Sequence, residues 1–114
     1  MFEGVTAIIF LTAISEYDQV LIEDGKTNRL LESRNLFIEI LKNVAFQNSD
    51  IVLFLNKKDL FEEKMTSGTF TNYITQYKGK ADDAAAAIDY IKRDIFEKAF
   101  NTYAAGKVFY CHVT

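Results

Sequence analysis

Two uninterrupted apolar runs constrain the fold of this chain more than any other feature: Val5-Thr6-Ala7-Ile8-Ile9-Phe10-Leu11 and Ile51-Val52-Leu53-Phe54-Leu55. Side chains alternate across a strand, so a run without polar alternation presents apolar groups on both faces. A buried parallel strand satisfies that pattern, and parallel strands need a long crossover, usually a helix, between them. The sequence between the runs supplies one. Over Thr27 to Phe46, Leu30, Phe37, Ile40, Leu41 and Val44 recur at helical spacing, with Glu32, Arg34, Glu39 and Lys42 on the other face. The polar, acidic stretch Ser15 to Gly25 reads as a loop above the strand ends. Beyond the second run, a short helix over Leu60 to Met65 and a weaker one around Phe70 to Tyr77 are expected. Asp82 and Asp83 then open the best helix, whose stripe is Ala84, Ile88, Ile91, Ile95 and Ala99. Lys107 to Val113 reads as a third strand. This order predicts an α/β fold of about three adjacent parallel strands with helices packed on both faces.

The 114 residues amount to a single domain or one piece of one, without internal repeats or a Gly/Ser linker. A net charge of −3 argues against a nucleic-acid surface, which needs a basic stripe. Val5 to Ile14, the longest apolar stretch, is too short to span a bilayer, and Met1-Phe2-Glu3-Gly4 has no basic flank of a targeting signal. One cysteine, Cys111, excludes an internal disulfide, and Cys111 with His112 is too little for a structural zinc site. His112 has no local acid partner, and Glu62-Glu63 and Asp82-Asp83 read as solvated or helix-start charges.

In an open α/β sheet, ligands bind beyond the carboxyl ends of the strands. The second run ends there in Asn56-Lys57-Lys58-Asp59, an N-K-x-D element. Guanine presents N1–H and its exocyclic amino group as neighbouring donors, and one carboxylate accepts both. Adenine offers an acceptor at N1 and would leave that carboxylate unpaired, so Asp59 is the candidate reader. Asn56 would reach the O6/N7 edge or brace a neighbouring loop, and the Lys57 stem would lie across the base or ribose. Lys58 completes the candidate binding set Asn56, Lys57, Lys58 and Asp59, as a solvated charge. The same residues have a second reading, in which Asn56 and Asp59 merely cap the helix that follows.

Gly25-Lys26-Thr27 imitates the end of a phosphate loop, G-x-x-x-x-G-K-[ST]. The first glycine of that pattern would stand at Val20, and Glu23 and Asp24 would oppose the phosphates. A turn leading into a helix is the better reading.

With these elements placed, the chain resembles the α subunits of heterotrimeric G proteins, specifically part of their carboxyl-terminal half. The matching blocks are Phe2 to Phe10, Ser15 to Leu21, Thr27-Asn28-Arg29 with Glu32-Ser33, Phe46 to Ser49, Phe54 to Lys64, and Tyr110-Cys111-His112-Val113-Thr114. They occur in the family's order and spacing, and Ser15 to Leu21 and Phe46 to Ser49 look closer to the q and i types than to the s type. The resemblance implies a partial P-loop NTPase-type (Ras-like) fold over 1–114. It is one partial GTPase domain, with the phosphate loop, both switches and the final helix expected outside it. It implies GTP or GDP as ligand, with Asn56, Lys57 and Asp59 as the guanine-specificity element, and Mg2+ held by parts of the family's sequence not matched here. Thr114 matches the first residue of the family's second guanine loop, Thr-Cys-Ala-Thr. By the same resemblance the function is receptor-to-effector signal transduction with GTP hydrolysis. The partners implied are a βγ dimer, a G-protein-coupled receptor and an effector enzyme, and the location is the cytoplasmic face of the plasma membrane. No catalytic residue or metal ligand is assigned in this stretch, which is expected not to hydrolyse GTP. The alternative is a non-catalytic interaction protein that binds receptor or effector through the retained helices.

The sequence departs from the family pattern at Ile74-Thr75-Gln76, where the family usually has a proline, although Tyr77 and Gly79 are kept. Met65 to Phe70 and Asn101 to Gly106 also match poorly.

Overall fold

The structure, a computed structural model, describes residues 7–104 and 106–114. Strands β1 (Ala7–Ala13), β2 (Asp50–Asn56) and β3 (Phe109–Val113) form one parallel sheet in the order β1-β2-β3. Register pairs Ile8 with Ile51, Phe10 with Leu53 and Thr12 with Leu55, and β2 continues the rows through Phe109, Cys111 and Val113. Val5 and Thr6, which open the first apolar run, lie outside the described residues.

Helix α1 (Arg29–Lys42) crosses from β1 to β2. It starts at Arg29 because Asn28 caps it, accepting from the Leu30 and Leu31 amides at 2.9 and 3.2 Å. Leu30, Phe37 and Leu41 are buried as the spacing predicts. The helix stops at Lys42, however, and a 3-10 turn, Val44–Phe46, carries Val44 out to 80% exposure. Asn43 makes the break, capping that turn through the Ala45 amide at 2.9 Å.

Helices α2 (Lys58–Met65) and α3 (Phe70–Tyr73) follow β2. The expected helix over Phe70 to Tyr77 ends at Tyr73 because Ile74 takes φ −109°, ψ 80°. Tyr77 is nonetheless buried, its ring edge-on to Phe70 and Tyr90 and its hydroxyl donating to the Lys80 carbonyl at 3.0 Å. Asp83 caps α4 (Ala84–Tyr90) through the Ala86 amide at 3.0 Å. The chain then continues without a break through a π-wound segment, Ile91–Glu97, into α5 (Lys98–Tyr103). The Lys98 amide reaches back to the Arg93 carbonyl, the i to i−5 bond of a π turn. The wider turn adds a residue to the inner face. Ile95 and Phe96 are therefore both buried, and Ala87 takes the fully buried place that the predicted stripe gave to Ala84 and Ile88.

The core lies on one face of the sheet. Phe37 stands at its centre with rings of Phe10, Phe96 and Phe109 around it at 5.3, 5.3 and 6.3 Å, and Phe100 stacks on Phe109 at 4.8 Å. Each fully buried side chain of this size contributes about 1.5–3 kcal/mol relative to exposure. The opposite face carries Ile9, Leu11, Val52, Phe54, Tyr110 and His112, with Ile9 65% and Leu11 62% exposed. The sequence pattern predicts helices on both faces, but among the described residues helices cover only one, and the other keeps its apolar side chains exposed.

Candidate functional site

The carboxyl ends of all three strands meet at the loop after β2. Asn56 is the last strand residue, paired with Ala13 of β1. Lys57 then turns the chain at φ 67°, ψ 37°, the only non-glycine residue with positive φ among those described. Such a left-handed residue is uncommon outside glycine, and it reverses the backbone sharply from strand into helix. The Lys57 carbonyl takes the first α2 bond from the Phe61 amide at 2.9 Å. Lys58 and Asp59 form the first helical turn, and Lys57, Lys58 and Asp59 are all exposed.

Thr114 ties this loop to β3. Its amide donates to the Leu55 carbonyl at 2.9 Å, and its carbonyl accepts from the Lys58 amide at 3.2 Å. Its hydroxyl donates to Asn56 Oδ1. These contacts decide between the two readings of the motif as far as capping is concerned. The α2 cap residue is Lys57 and makes no side-chain cap bond, so neither Asn56 nor Asp59 caps the helix. The Asn56 oxygen is engaged by Thr114, and its amide hydrogens are the donors left to offer. The Asp59 carboxylate has no hydrogen bond or ion pair to the described residues.

The segment after β1 forms the neighbouring wall, and it is more ordered than the sequence suggests. A 3-10 helix, Ile14–Asp18, replaces the first part of the expected loop, with Ile14, Ser15 and Tyr17 buried. Lys64 of α2 donates to the Ser15 carbonyl at 2.8 Å and pairs with Asp18 at 2.9 Å. The Tyr17 ring packs edge-on against Phe61, Phe70 and Tyr73. Tyr17, Lys64 and Thr114 are thus supports of the loop, and only a sheet that aligns the strand ends brings them together.

Gly25-Lys26-Thr27 is a turn. Asp24 accepts from the Lys26 and Thr27 amides at 2.9 and 3.0 Å and from the Thr27 hydroxyl. A bridge between Val20 and Asn28 closes this loop at its base. On β3, Cys111 points into the core side while His112 stacks on Phe54 across the open face, ring centroids 5.3 Å apart. The two therefore do not form a joint site. Burial pushes the Cys111 thiol above its ordinary pKa, partly offset by Lys92. No group of three or more His, Cys, Asp or Glu that could hold a metal ion occurs among the described residues, and no step is assigned to magnesium. No helix among them is long and apolar enough to cross a membrane.

A family model described as the G-protein alpha subunit matches residues 1–114. This chain belongs to the G-protein alpha subunit family. The guanine nucleotide-binding protein G(o) subunit alpha of Caenorhabditis elegans is 49% identical over 113 residues, 99% of this chain and 31% of that protein. The G(o) subunit alpha of Locusta migratoria shows the same identity and coverage. The guanine nucleotide-binding protein alpha-1 subunit of Saccharomyces cerevisiae is 46% identical over 99 residues, 87% of this chain and 20% of that protein. The alpha-family chain described here therefore spans about a third or less of the length of these curated relatives.

Proposed function

We propose that the Asn56–Asp59 loop reads the guanine base in a nucleotide-dependent signal transducer. The observation that carries this reading is that neither Asn56, at the end of β2, nor Asp59, in the first turn of α2, caps that helix. The Asp59 carboxylate would accept the N1–H and the exocyclic amine of guanine. With its oxygen held by the Thr114 hydroxyl, Asn56 offers NH2 donors, which suit the O6 and N7 acceptors of that base. Adenine presents an amine in place of O6 and an acceptor in place of N1–H, so both residues reject it. A site built on such polar pairing rejects the wrong base more strongly than an apolar pocket can. Lys57 makes the left-handed turn between these residues, and its aliphatic stem would lie over the base.

Membership of the family extends the proposal to the whole protein: GTP and GDP as ligands, GTP hydrolysis, a βγ dimer, receptor and effector as partners, and a place at the cytoplasmic face of the plasma membrane. The 114-residue chain reads the base and does not itself release phosphate from GTP.

The test is an amide NMR titration of the chain with GDP, ADP and xanthosine diphosphate. GDP is expected to shift Asn56 to Leu60 and Thr114, weakly but saturably, while ADP leaves them in place. Asp59→Asn is expected to weaken GDP about tenfold or more, the scale of a lost charge-assisted pair. It should gain xanthosine diphosphate, whose carbonyl replaces the amine and accepts from the new amide. An ADP response equal to that of GDP, or unchanged GDP binding by Asp59→Asn, would sink the reading. Phosphate release from GTP and magnesium above that of the Asp59→Asn control would overturn the claim about turnover.

A further inference from the structure

Asp59, the candidate base reader, stands on a helix with little means of fixing its own direction. Helix α2 is eight residues long, and its cap residue, Lys57, is left-handed and makes no side-chain bond to the first turn. Helices this short do not persist alone in water and take their order from tertiary contacts. The direction of the Asp59 carboxylate is therefore set by whatever holds α2.

Apolar and polar contacts both hold it. Phe61 and Met65 are buried, with Phe61 edge-on to Tyr17 and Phe70. Apolar burial is non-directional, so it presses α2 onto the core without fixing its rotation. Directional contacts lie at the two ends. At the first turn the Lys58 amide donates to the Thr114 carbonyl at 3.2 Å, the long end of the usual range. At the last turn Lys64 Nζ donates to the Ser15 carbonyl at 2.8 Å and to Asp18 Oδ1 at 2.9 Å, 49 and 46 positions away in sequence. Both acceptors belong to the 3-10 helix Ile14–Asp18, which continues directly from the carboxyl end of β1. Asn56, the last residue of β2, pairs with Ala13 at that same end of β1. Lys64 thus ties the far end of the Asp59 helix to the strand that flanks Asn56.

We infer that Lys64 is a positioning residue for base selection, setting how Asp59 stands relative to Asn56 through its bonds to Ser15 and Asp18. The inference rests on the base reading proposed above. Lys64 does not touch the base. It holds the last turn of α2, so that the carboxylate on the first turn meets N1–H and the exocyclic amine of guanine together. Two parallel hydrogen bonds to one carboxylate carry geometric specificity and tolerate little rotation. With Lys64 released, α2 turns about Lys57 and Asp59 keeps one of the two bonds. What is lost is then selection by the exocyclic amine, the group that distinguishes guanine from hypoxanthine.

GDP and inosine diphosphate differ only in that amine, so ribose and phosphate contacts cancel in the ratio of their affinities. Amide NMR titrations of the chain with each nucleotide give the ratio. Wild type is expected to prefer GDP about tenfold, the scale of one charge-assisted bond. Lys64→Met, which keeps the aliphatic stem, should bring the preference to about twofold or less, and Lys64→Arg, which keeps a cationic donor, should restore it. Asp18→Ala removes one of the two acceptors and should lower the ratio part of the way, with no further fall when added to Lys64→Met. Residual dipolar couplings of the α2 amides, measured without nucleotide, should show the helix turned in Lys64→Met and in its wild-type direction in Lys64→Arg. A wild-type ratio in Lys64→Met, an equal fall in Lys64→Arg, or unchanged α2 couplings in Lys64→Met would overturn the inference while the base reading stands. If Lys64→Met fails to fold, Asp18→Ala decides, and an unchanged ratio there overturns it. Equal binding of GDP and inosine diphosphate by wild type would sink the base reading itself, and this inference with it.

Discussion

At Gly79 the space a side chain would need is already taken. A Cβ there would collide with the hydroxyl and ring of Tyr77, which is itself locked between Phe70 and Tyr90 and bonded to Lys80. Gly79→Ala must therefore displace a buried ring, and a cost of about 1–3 kcal/mol is expected in urea denaturation. A midpoint equal to wild type would show that the ring moves freely. Asp24 gives the pH counterpart. The Thr27 hydroxyl, then the Lys26 and Thr27 amides, hold its carboxyl below the ordinary carboxylate range. A folded value depressed in this way stabilises the turn fully above the unfolded pKa, and the contribution is lost as pH falls through the folded one. The Lys26 and Thr27 amide resonances should thus titrate with a midpoint below that of aspartate in an unfolded peptide. A midpoint at or above it would contradict the geometry.

Between elements, the polar part of the α2 contact with the segment after β1 comes from one side chain, beside the Tyr17–Phe61 ring contact. Lys64 bonds both the Ser15 carbonyl and Asp18, and it is only partly exposed. Lys64→Met keeps the aliphatic stem and removes both bonds. After allowing for solvent screening, the loss should be about 1 kcal/mol, with faster amide exchange confined to Ile14 to Asp18. Exchange that speeds uniformly over the chain would instead make Lys64 a contributor to global stability only. The same scale explains the reach of the sequence patterns. Asn28 and Asp83 act as caps through amides two or three residues away, a local geometry that sequence spacing encodes. The π turn at Ile91–Glu97 has no local signature, because two bulky side chains, Ile95 and Phe96, enter the same core only once the sheet stands opposite them.

Over the whole molecule, the open sheet face sets the behaviour of the chain in solution. Ile9, Leu11, Val52, Phe54 and Tyr110 form an apolar row-and-column patch, and β1 and β3 are both edge strands of the described sheet. Exposed apolar patches and bare edges favour association. The isolated chain is expected to show a concentration-dependent sedimentation coefficient, and Leu11→Lys with Tyr110→Glu should shift it toward the monomer. A wild-type chain monomeric at high micromolar concentration would contradict this expectation.

The order of elements, the parallel sheet and the Asn56-Lys57-Lys58-Asp59 loop follow from the sequence alone, because strand burial, helix periodicity and capping are properties of neighbouring residues. The meaning of that loop was open at the same level, since Asn and Asp serve equally as caps. Tertiary structure decided the capping question by setting Thr114 against Asn56 across 58 positions of chain and by leaving Lys57 as the cap. It also decided which sheet face is covered and where Arg34 is left with a buried, unpaired nitrogen. Both depend on contacts between residues far apart in the chain, which no local pattern of charge or hydrophobicity specifies.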